Sequence, residues 1–403
     1  MKQYEPNYLI KNRADACIAQ GALTNSKRLS TFINGVYPSH VSHGQGAFLY
    51  SNKKQFIDYY GALGSNLFGY GNKLIGDAIM ERFYKGATLS LSSDTEVDFA
   101  ETLKSVFNFD MWKFGKNGSD VCSASIKVAR AYTGKDLVLS DAYHGWHDDF
   151  ISLSPPSLGV PKRPWIKSLN DNWDLIPHAS CVIIEPVILD YSRDRIEYLK
   201  RLREECTKHN TVLIFDEIIT GFRFKKFSVS NYFNIQPDII LLGKVMGGGL
   251  ALSAMGGKKE IMNCGEYFYS GTFFGETCSM AACMKIISLL RSDKYKIDNL
   301  WYSGESFLKR FNELSNDLKI IGYPTRGSFV GNDLTKALFW QEACRAGILF
   351  GPSWFYNFTL IEHNDLVIST CRDIFNRIKT GSIKLEGLLP QKPFSQSLRE
   401  KVD

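Results

Sequence analysis

The stretch TVLIFDEIITGFR, residues 211–223, decides how the chain reads. Val212, Leu213, Ile214 and Phe215 form an unbroken apolar run that stops at Asp216 and Glu217. A short run without polar alternation marks a strand covered on both faces, as in a parallel sheet flanked by helices. Three more runs match it: KDLVLS (135–140), CVIIE (181–185) and DIILLG (238–243), each closing on a polar residue or glycine. Between the second and third, Ile196, Leu199, Leu202 and Cys206 recur at spacings of three to four within residues 193–208, which is the apolar stripe of a helix. Strands alternating with helices predict an α/β chain with a mainly parallel sheet and helices on both of its faces.

Ligands of such sheets bind beyond the carboxyl ends of the strands. Working outward from Asp216, those ends carry Glu185 and Pro186, then Gly243 and Lys244, then the segment DAYHGWH (141–147). An acid, a lysine and an aromatic residue therefore converge on one edge. A further helix is expected over Cys122 to Thr133, with Val121, Ala124, Val128, Ala129 and Tyr132 as its stripe. Asn117 or Ser119 can cap its start, and Gly134 fits its end. The turn Gly118–Ser119 at the helix N-terminus offers free backbone N–H groups and the positive end of the helix dipole, which suits a phosphate. An amine (Lys244), a carboxylate (Asp216), an anion cradle (Gly118, Ser119) and two groups to cover a flat ring (Tyr143, Ile218) are what pyridoxal 5′-phosphate needs.

The remaining composition removes other classes. The chain has 403 residues, long enough for two or three domains at about 150 residues each. Its 44% hydrophobic and 22% charged residues exclude a disordered or coiled-coil chain. The net charge of +6 is spread over short clusters such as Lys225–Lys226, so no nucleic-acid partner is expected. No apolar run is long enough for a membrane helix, and the polar start MKQYEPNYLI does not read as an export signal, so the expected location is cytoplasmic. Nine cysteines without a C-x-x-C pair argue against a disulfide framework or a structural zinc site. His144 with His147, and His40 with His43, lack further ligands at metal spacing, so no metal is expected. No G-x-G-x-x-G or G-x-x-x-x-G-K-[ST] occurs, which weakens a dehydrogenase or NTPase reading. The segments 46–50 and 55–60 read as short strands around the turn Ser51–Lys54, and Gly61 to Gly71 as loop.

Six segments in order resemble the class III aminotransferases, and within them the glutamate-1-semialdehyde aminomutase-like group. They are NGSDVCSASIKVARAYTG (117–134), YHGWHD (143–148), IIEPV (183–187), LIFDEIITGFR (213–223), LLGKVMGGGLALSAMGG (241–257) and YSGTFFGETCSMAA (269–282). The resemblance covers roughly residues 40 to 290. It implies the PLP-dependent transferase fold of type I, with a mainly parallel, seven-stranded-type sheet in the large domain and a smaller α+β domain. The expected division is 1–70 contributing to the small domain, 71–290 as the large PLP-binding domain and 291–403 as the C-terminal small domain.

Further roles follow from the resemblance. Lys244 would bind the cofactor covalently and move protons, and Asp216 would hold its pyridine nitrogen. Tyr143 and Ile218 would cover the two ring faces, Gly118 and Ser119 would bind the phosphate, and Thr272 would reach the phosphate of a neighbouring subunit. A homodimer with a shared active site is therefore expected, acting on a small-molecule amino donor and a carbonyl acceptor. The aminomutase group carries an acidic residue in a C-terminal gating segment, whereas the stretch Gly351 to Phe358 here has aromatics and Asn357. Its tryptophan in the Ile-Asp-Tyr segment falls near Leu63, and only Arg28 lies near its carboxylate-binding arginine. Residues 26–50 resemble relatives of bacterial surface-polysaccharide pathways. The expected activity is thus an aminotransferase, with the 2,1-aminomutase as the alternative.

Overall fold

The computed structural model describes residues 8–141, 143–153 and 159–391. The chain forms two units. One joins the described residues up to Asn72 to those from Tyr295 onward, and the other is Lys73–Lys294.

The first unit opens with the helix Tyr8–Cys17 and a series of single 3-10 turns. Strands β1 (His43–Gln45), β2 (Phe48–Ser51) and β3 (Lys54–Asp58) then form an antiparallel meander. Ser51 pairs with Lys54, so the β2–β3 turn has two central residues, Asn52 and Lys53. Both have positive φ, 45° and 62°. This is the hairpin geometry whose twist matches that of the flanking strands.

The second unit holds a seven-stranded sheet. Its strands are β4 (Met111–Gly115), β5 (Leu137–Ser140), β6 (Ile166–Ser168), β7 (Ala179–Ile184), β8 (Val212–Asp216), β9 (Ile239–Leu242) and β10 (Ser253–Gly257). They lie in the order β4-β10-β9-β8-β7-β5-β6. Strands β6, β5, β7, β8 and β9 pair in parallel, and only β10 runs against its neighbours β9 and β4. The mainly parallel sheet expected from the four apolar runs is therefore present.

Every residue of β7, β8 and β9 is buried, because both faces are covered. On one face Val121, Ala124, Val128 and Ala129 of the helix Gly118–Thr133 pack with Cys181, Ile183, Ile214 and Leu241. On the other, Leu199, Leu202 and Cys206 of the helix Arg193–Lys208 pack with Val182, Ile184, Leu213 and Phe215. Successive residues of one strand thus serve opposite layers, as the pleat requires. Tyr132, expected in the helix stripe, is instead 44% exposed in the last turn before Gly134. Gly134 ends that helix in the left-handed region at φ 68°.

The chain then returns to the first unit. Strands β11 (Leu318–Tyr323), β12 (Arg326–Gly331) and β14 (Ser353–Phe355) form an antiparallel sheet, while β13 (Ile348–Leu349) joins β3 in parallel. The core of this unit is aromatic: Phe307, Phe311, Phe339, Phe350 and Phe375 stack or meet edge to face. Gly304 is needed within it, since a Cβ there would lie 1.9 Å from the Pro324 carbonyl oxygen.

The sheet core gives a direct stability test. Ile183 is fully buried between β5 and β8. Ile183→Ala should cost about 2–5 kcal/mol through lost burial and the cavity left behind. The measurement is the midpoint of chemical denaturation, with an unchanged slope.

Candidate active site

Four adjacent strands bring the chemistry together. In the order β5, β7, β8, β9, their carboxyl ends lead to Asp141, Glu185, Asp216 and Lys244. Because these strands are parallel, all four residues emerge on the same edge of the sheet. The helix Gly118–Thr133 follows β4, so its N-terminus arrives there as well. Asn117 is its N-cap, and Asp120 accepts hydrogen bonds from the backbone N–H groups of Asn117 (2.7 Å) and Lys116 (3.0 Å). Lys116 Nζ pairs with Glu276 (2.9 Å), which caps the helix Thr277–Leu290, and Ser253 Oγ donates to the Asn117 carbonyl at 2.8 Å. The helix start is thus fixed from two sides.

Asp216 is the centre of the cluster and only 5% exposed. Its Oδ1 accepts the Ile218 backbone N–H at 3.0 Å. Its Oδ2 accepts from His144 Nδ1 at 2.8 Å and from the Cys122 thiol at 3.7 Å. Burial, with the charge of Asp216 beside it, pushes the Cys122 thiol well up, so Cys122 remains a neutral donor. Burial by itself would lower the pKa of His144. The carboxylates of Asp141 and Asp216 outweigh burial and raise it to about 10, so His144 is an imidazolium at neutral pH.

Glycines and one strained lysine shape the rest. A Cβ on Gly118 would lie 2.7 Å from Ile218 Cδ1, and one on Gly243 would lie 3.1 Å from Ile218 Cγ2. The Ile218 side chain therefore rests over two glycines. Gly145, at φ 111°, passes so close to Ser119 that a Cβ would meet its hydroxyl at 2.5 Å. Ser119 Oγ accepts the Trp146 backbone N–H at 3.2 Å. Lys244, half-buried, has φ 48°, a left-handed conformation that costs an ordinary residue about 1–2 kcal/mol. Tyr143 is 42% exposed; burial of the rest of its ring, with the charge of Asp216 nearby, raises its phenol.

The described contacts thus bring Lys244, Asp216, Ile218, Gly118, Ser119 and Tyr143 to one region. Thr272 lies in an exposed turn after Gly271, and within a single chain no described hydrogen bond joins it to that region. Three residues of the cluster escape a reading by motif: His144, Cys122 and Asp141. Asp141 directly follows an apolar run, the same signal that marks Asp216. His144 and His147 are turned to different partners. Nδ1 of His144 is given to Asp216, His147 Nδ1 is 2.9 Å from Ser123 Oγ, and the described residues hold no group of three or more candidate ligands. Glu217 is fully buried and takes N–H groups of Val229 (2.6 Å) and Ser230 (2.9 Å), which makes it a loop anchor.

Pyridoxal phosphate fits this donor set. A carboxylate offers about four acceptor sites. The three donors on Asp216 leave capacity for a further N–H, such as a protonated pyridine nitrogen. At Gly118 a side chain would fill the space that Ile218 now covers beside the helix N-terminus.

Known proteins bear on this geometry. The family model for aminotransferase class-III matches residues 163–357. The glutamate-1-semialdehyde 2,1-aminomutase of Wigglesworthia glossinidia brevipalpis is 30% identical over 417 aligned positions, covering 90% of this chain and 94% of that protein. A second such aminomutase, from Lachnoclostridium phytofermentans, is 29% identical over 71% of this chain and 74% of its own length. Among solved structures, the PLP internal aldimine form of the FumI protein of Sphingopyxis sp. MTA144 superposes with a TM-score of 0.87 at 21% identity, covering 94% of this chain and 98% of that one. A glutamate-1-semialdehyde aminomutase of Pseudomonas aeruginosa PAO1 gives 0.78 at 16% identity, covering 92% and 94%. The fold is that of the PLP-dependent transferases of type I.

The imidazolium sets a pH dependence. A pKa raised from about 6.5 to about 10 favours the fold while His144 is protonated. That contribution is complete below about pH 6.5 and is lost as the pH climbs through about 10. His144→Ala should cost about 3–5 kcal/mol at pH 6, since it strips two buried carboxylates of their partner. Denaturation of both proteins at pH 6, 8 and 10 should show the gap closing as pH rises.

Proposed function

The chain belongs to the class-III aminotransferases, enzymes dependent on pyridoxal 5′-phosphate, and within that family we propose that it transfers an amino group from a donor amine to a separate carbonyl acceptor. The acceptor is an aldehyde, a keto sugar or a keto acid. The observation that carries the reading is the shared edge: Lys244 and Asp216 follow adjacent parallel strands beside a helix N-terminus cleared by Gly118.

When bound, the cofactor supplies an aldehyde that condenses with amines and a pyridine ring that takes up electrons from the substrate carbon. Asp216 holds the ring nitrogen in its protonated state. Gly118 and Ser119 bind the phosphate through the helix N-terminus. Tyr143 and Ile218 confine the ring between them. Lys244 Nζ holds the proton taken from the donor's α-carbon and returns it to the product side, which is general acid–base work within hydrogen-bond reach. Thr272, exposed on its turn, is assigned to the phosphate of a second subunit, which makes a homodimer part of the reading.

The intramolecular aminomutase is the second reading. Asn357 speaks against it, because the segment Gly351 to Phe358 offers an amide where that group has an acid. In the first unit Asn357 is 1% exposed and its Oδ1 accepts from Thr359 N (3.0 Å) and Oγ1 (2.8 Å), so it caps the turn Phe358–His363. The resemblance of residues 26–50 to relatives of bacterial surface-polysaccharide pathways supports a role in such a pathway.

Two measurements test this. Purified wild-type protein with added PLP should show a visible absorbance that borohydride bleaches, and Lys244→Ala should lack it; a bleachable band in that variant removes Lys244 from its role. A screen of donor amines should convert the bound cofactor to the pyridoxamine form only with some donors, and a carbonyl acceptor should restore it. Turnover of a single amino-aldehyde with no second substrate would favour the aminomutase.

A further inference from the structure

Behind His144 lies a second carboxylate for which the reaction above has no use. Asp141 is 7% exposed, and its Oδ1 is 3.6 Å from His144 Nε2, a charge contact beyond hydrogen-bond distance to a buried nitrogen that makes no hydrogen bond. The same oxygen accepts the Glu185 backbone N–H at 3.3 Å. Its other oxygen is 3.8 Å from the Arg195 guanidinium. Arg195 is itself fixed: Nε donates to the Pro186 carbonyl (2.8 Å), Nη2 donates to the Glu185 carbonyl (2.8 Å), and its plane lies 4.8 Å from the Tyr198 ring centre. A line of alternating charge thus runs inward from the helix Arg193–Lys208: Arg195, Asp141, His144, Asp216.

We propose that Asp141 is a positioning residue for the cofactor carboxylate, clamping His144 from the side opposite Asp216 so that the imidazole faces Asp216 as a cation in one fixed orientation. The proposal rests on Asp216 being the partner of the cofactor nitrogen. Its physical ground is the charge that faces each ring nitrogen. His144 Nδ1 is hydrogen-bonded to Asp216, while Nε2 makes no hydrogen bond but has the Asp141 carboxylate 3.6 Å away, and an anion facing each nitrogen favours the ring as a cation. The Asp216 carboxylate, 5% exposed, then has a compensating charge at 2.8 Å in place of water. The line also balances itself, two carboxylates against an imidazolium and a guanidinium, so the buried charge carries no large net cost.

The other charged or titratable groups near the ring are few. Tyr143 lies on the same loop as His144. Cys122, from the helix Gly118–Thr133, touches Asp216. Glu185 and Lys244, after β7 and β9, act on Cys122 through their charges. The only aromatic partner described for the ring is Phe150, edge-on at 5.4 Å.

The test is the titration of His144 in the full-length protein by nitrogen-15 NMR, with and without PLP, in wild type and Asp141→Asn. The asparagine keeps an oxygen for the Glu185 N–H and removes the charge. In the wild type both ring nitrogens should stay protonated past pH 9. In the variant the midpoint should fall by at least one unit, and the dissociation constant for PLP should rise about tenfold, the equivalent of one such unit. In a His144→Gln background, Asp141→Asn should leave PLP affinity within about twofold. A wild-type His144 that deprotonates near pH 6.5 overturns the proposal without any variant, and so does a variant with unchanged midpoint and PLP affinity. If Asp141→Asn does not fold, the wild-type titration still decides. If the wild-type protein binds no PLP, the cofactor reading fails while the NMR result continues to judge the clamp.

Discussion

A carboxylate shut away from water, with three near donors turned towards it, governs the architecture around it. Asp216 ends a strand with no exposed residue, in a place where an isolated carboxylate would cost several kcal/mol or take up a proton. It accepts from three donors of three different segments: the amide of Ile218, the Cys122 thiol and the His144 ring. Only a parallel sheet supplies such partners cheaply, because neighbouring strands end on the same edge and each can deliver one residue. Where β5, β7, β8 and β9 stop, polar chemistry starts, and the hydrophobic layers on either side hold those ends in register.

The backbone nearby is shaped by the same demand for closeness. Gly118 and Gly243 lie beneath Ile218, and Gly145 lies against Ser119; a Cβ at Gly118 or Gly145 would come closer than 3.0 Å, and one at Gly243 would sit tightly at 3.1 Å. These are contacts between loops that follow different strands, so the glycines pack the edge and do not merely turn the chain. Lys244 adds a left-handed residue directly after β9, a strain that the surrounding buried residues Gly243, Val245 and Met246 sustain. Lys244 is thus held by the shape of the edge as well as by its place in the sequence.

The sheet was legible in the sequence because burial on both faces writes itself as unbroken apolar runs. The four runs fall within one or two residues of β5, β7, β8 and β9, and the helix Arg193–Lys208 has the predicted bounds. Lys244 and Asp216 could be picked out because they sit where such runs end. Tyr132 shows the limit of periodicity: it continues a stripe past the point where the helix still has a sheet beneath it. His144, Cys122 and Asp141 were harder for another reason. Their importance is in whom they face, and a histidine after a tyrosine or a cysteine on a helix stripe carries no trace of a carboxylate arriving from a strand some seventy to ninety residues away.

The aromatic segment before Phe358 poses the reverse problem. Trp354 and Tyr356 look in sequence like residues on display, yet both are fully buried, stacked on each other and against Phe307 in the core of the first unit. Tyr356 also shares its hydroxyl with Ser303 (2.8 Å) and Asn364 (2.8 Å), so its polar end is satisfied internally. Asn357 follows them, 1% exposed and committed to a helix cap. An aspartate could replace it as a cap, accepting the same Thr359 N–H and hydroxyl. The aromatic segment and its asparagine cap are thus part of the packed interior of the first unit.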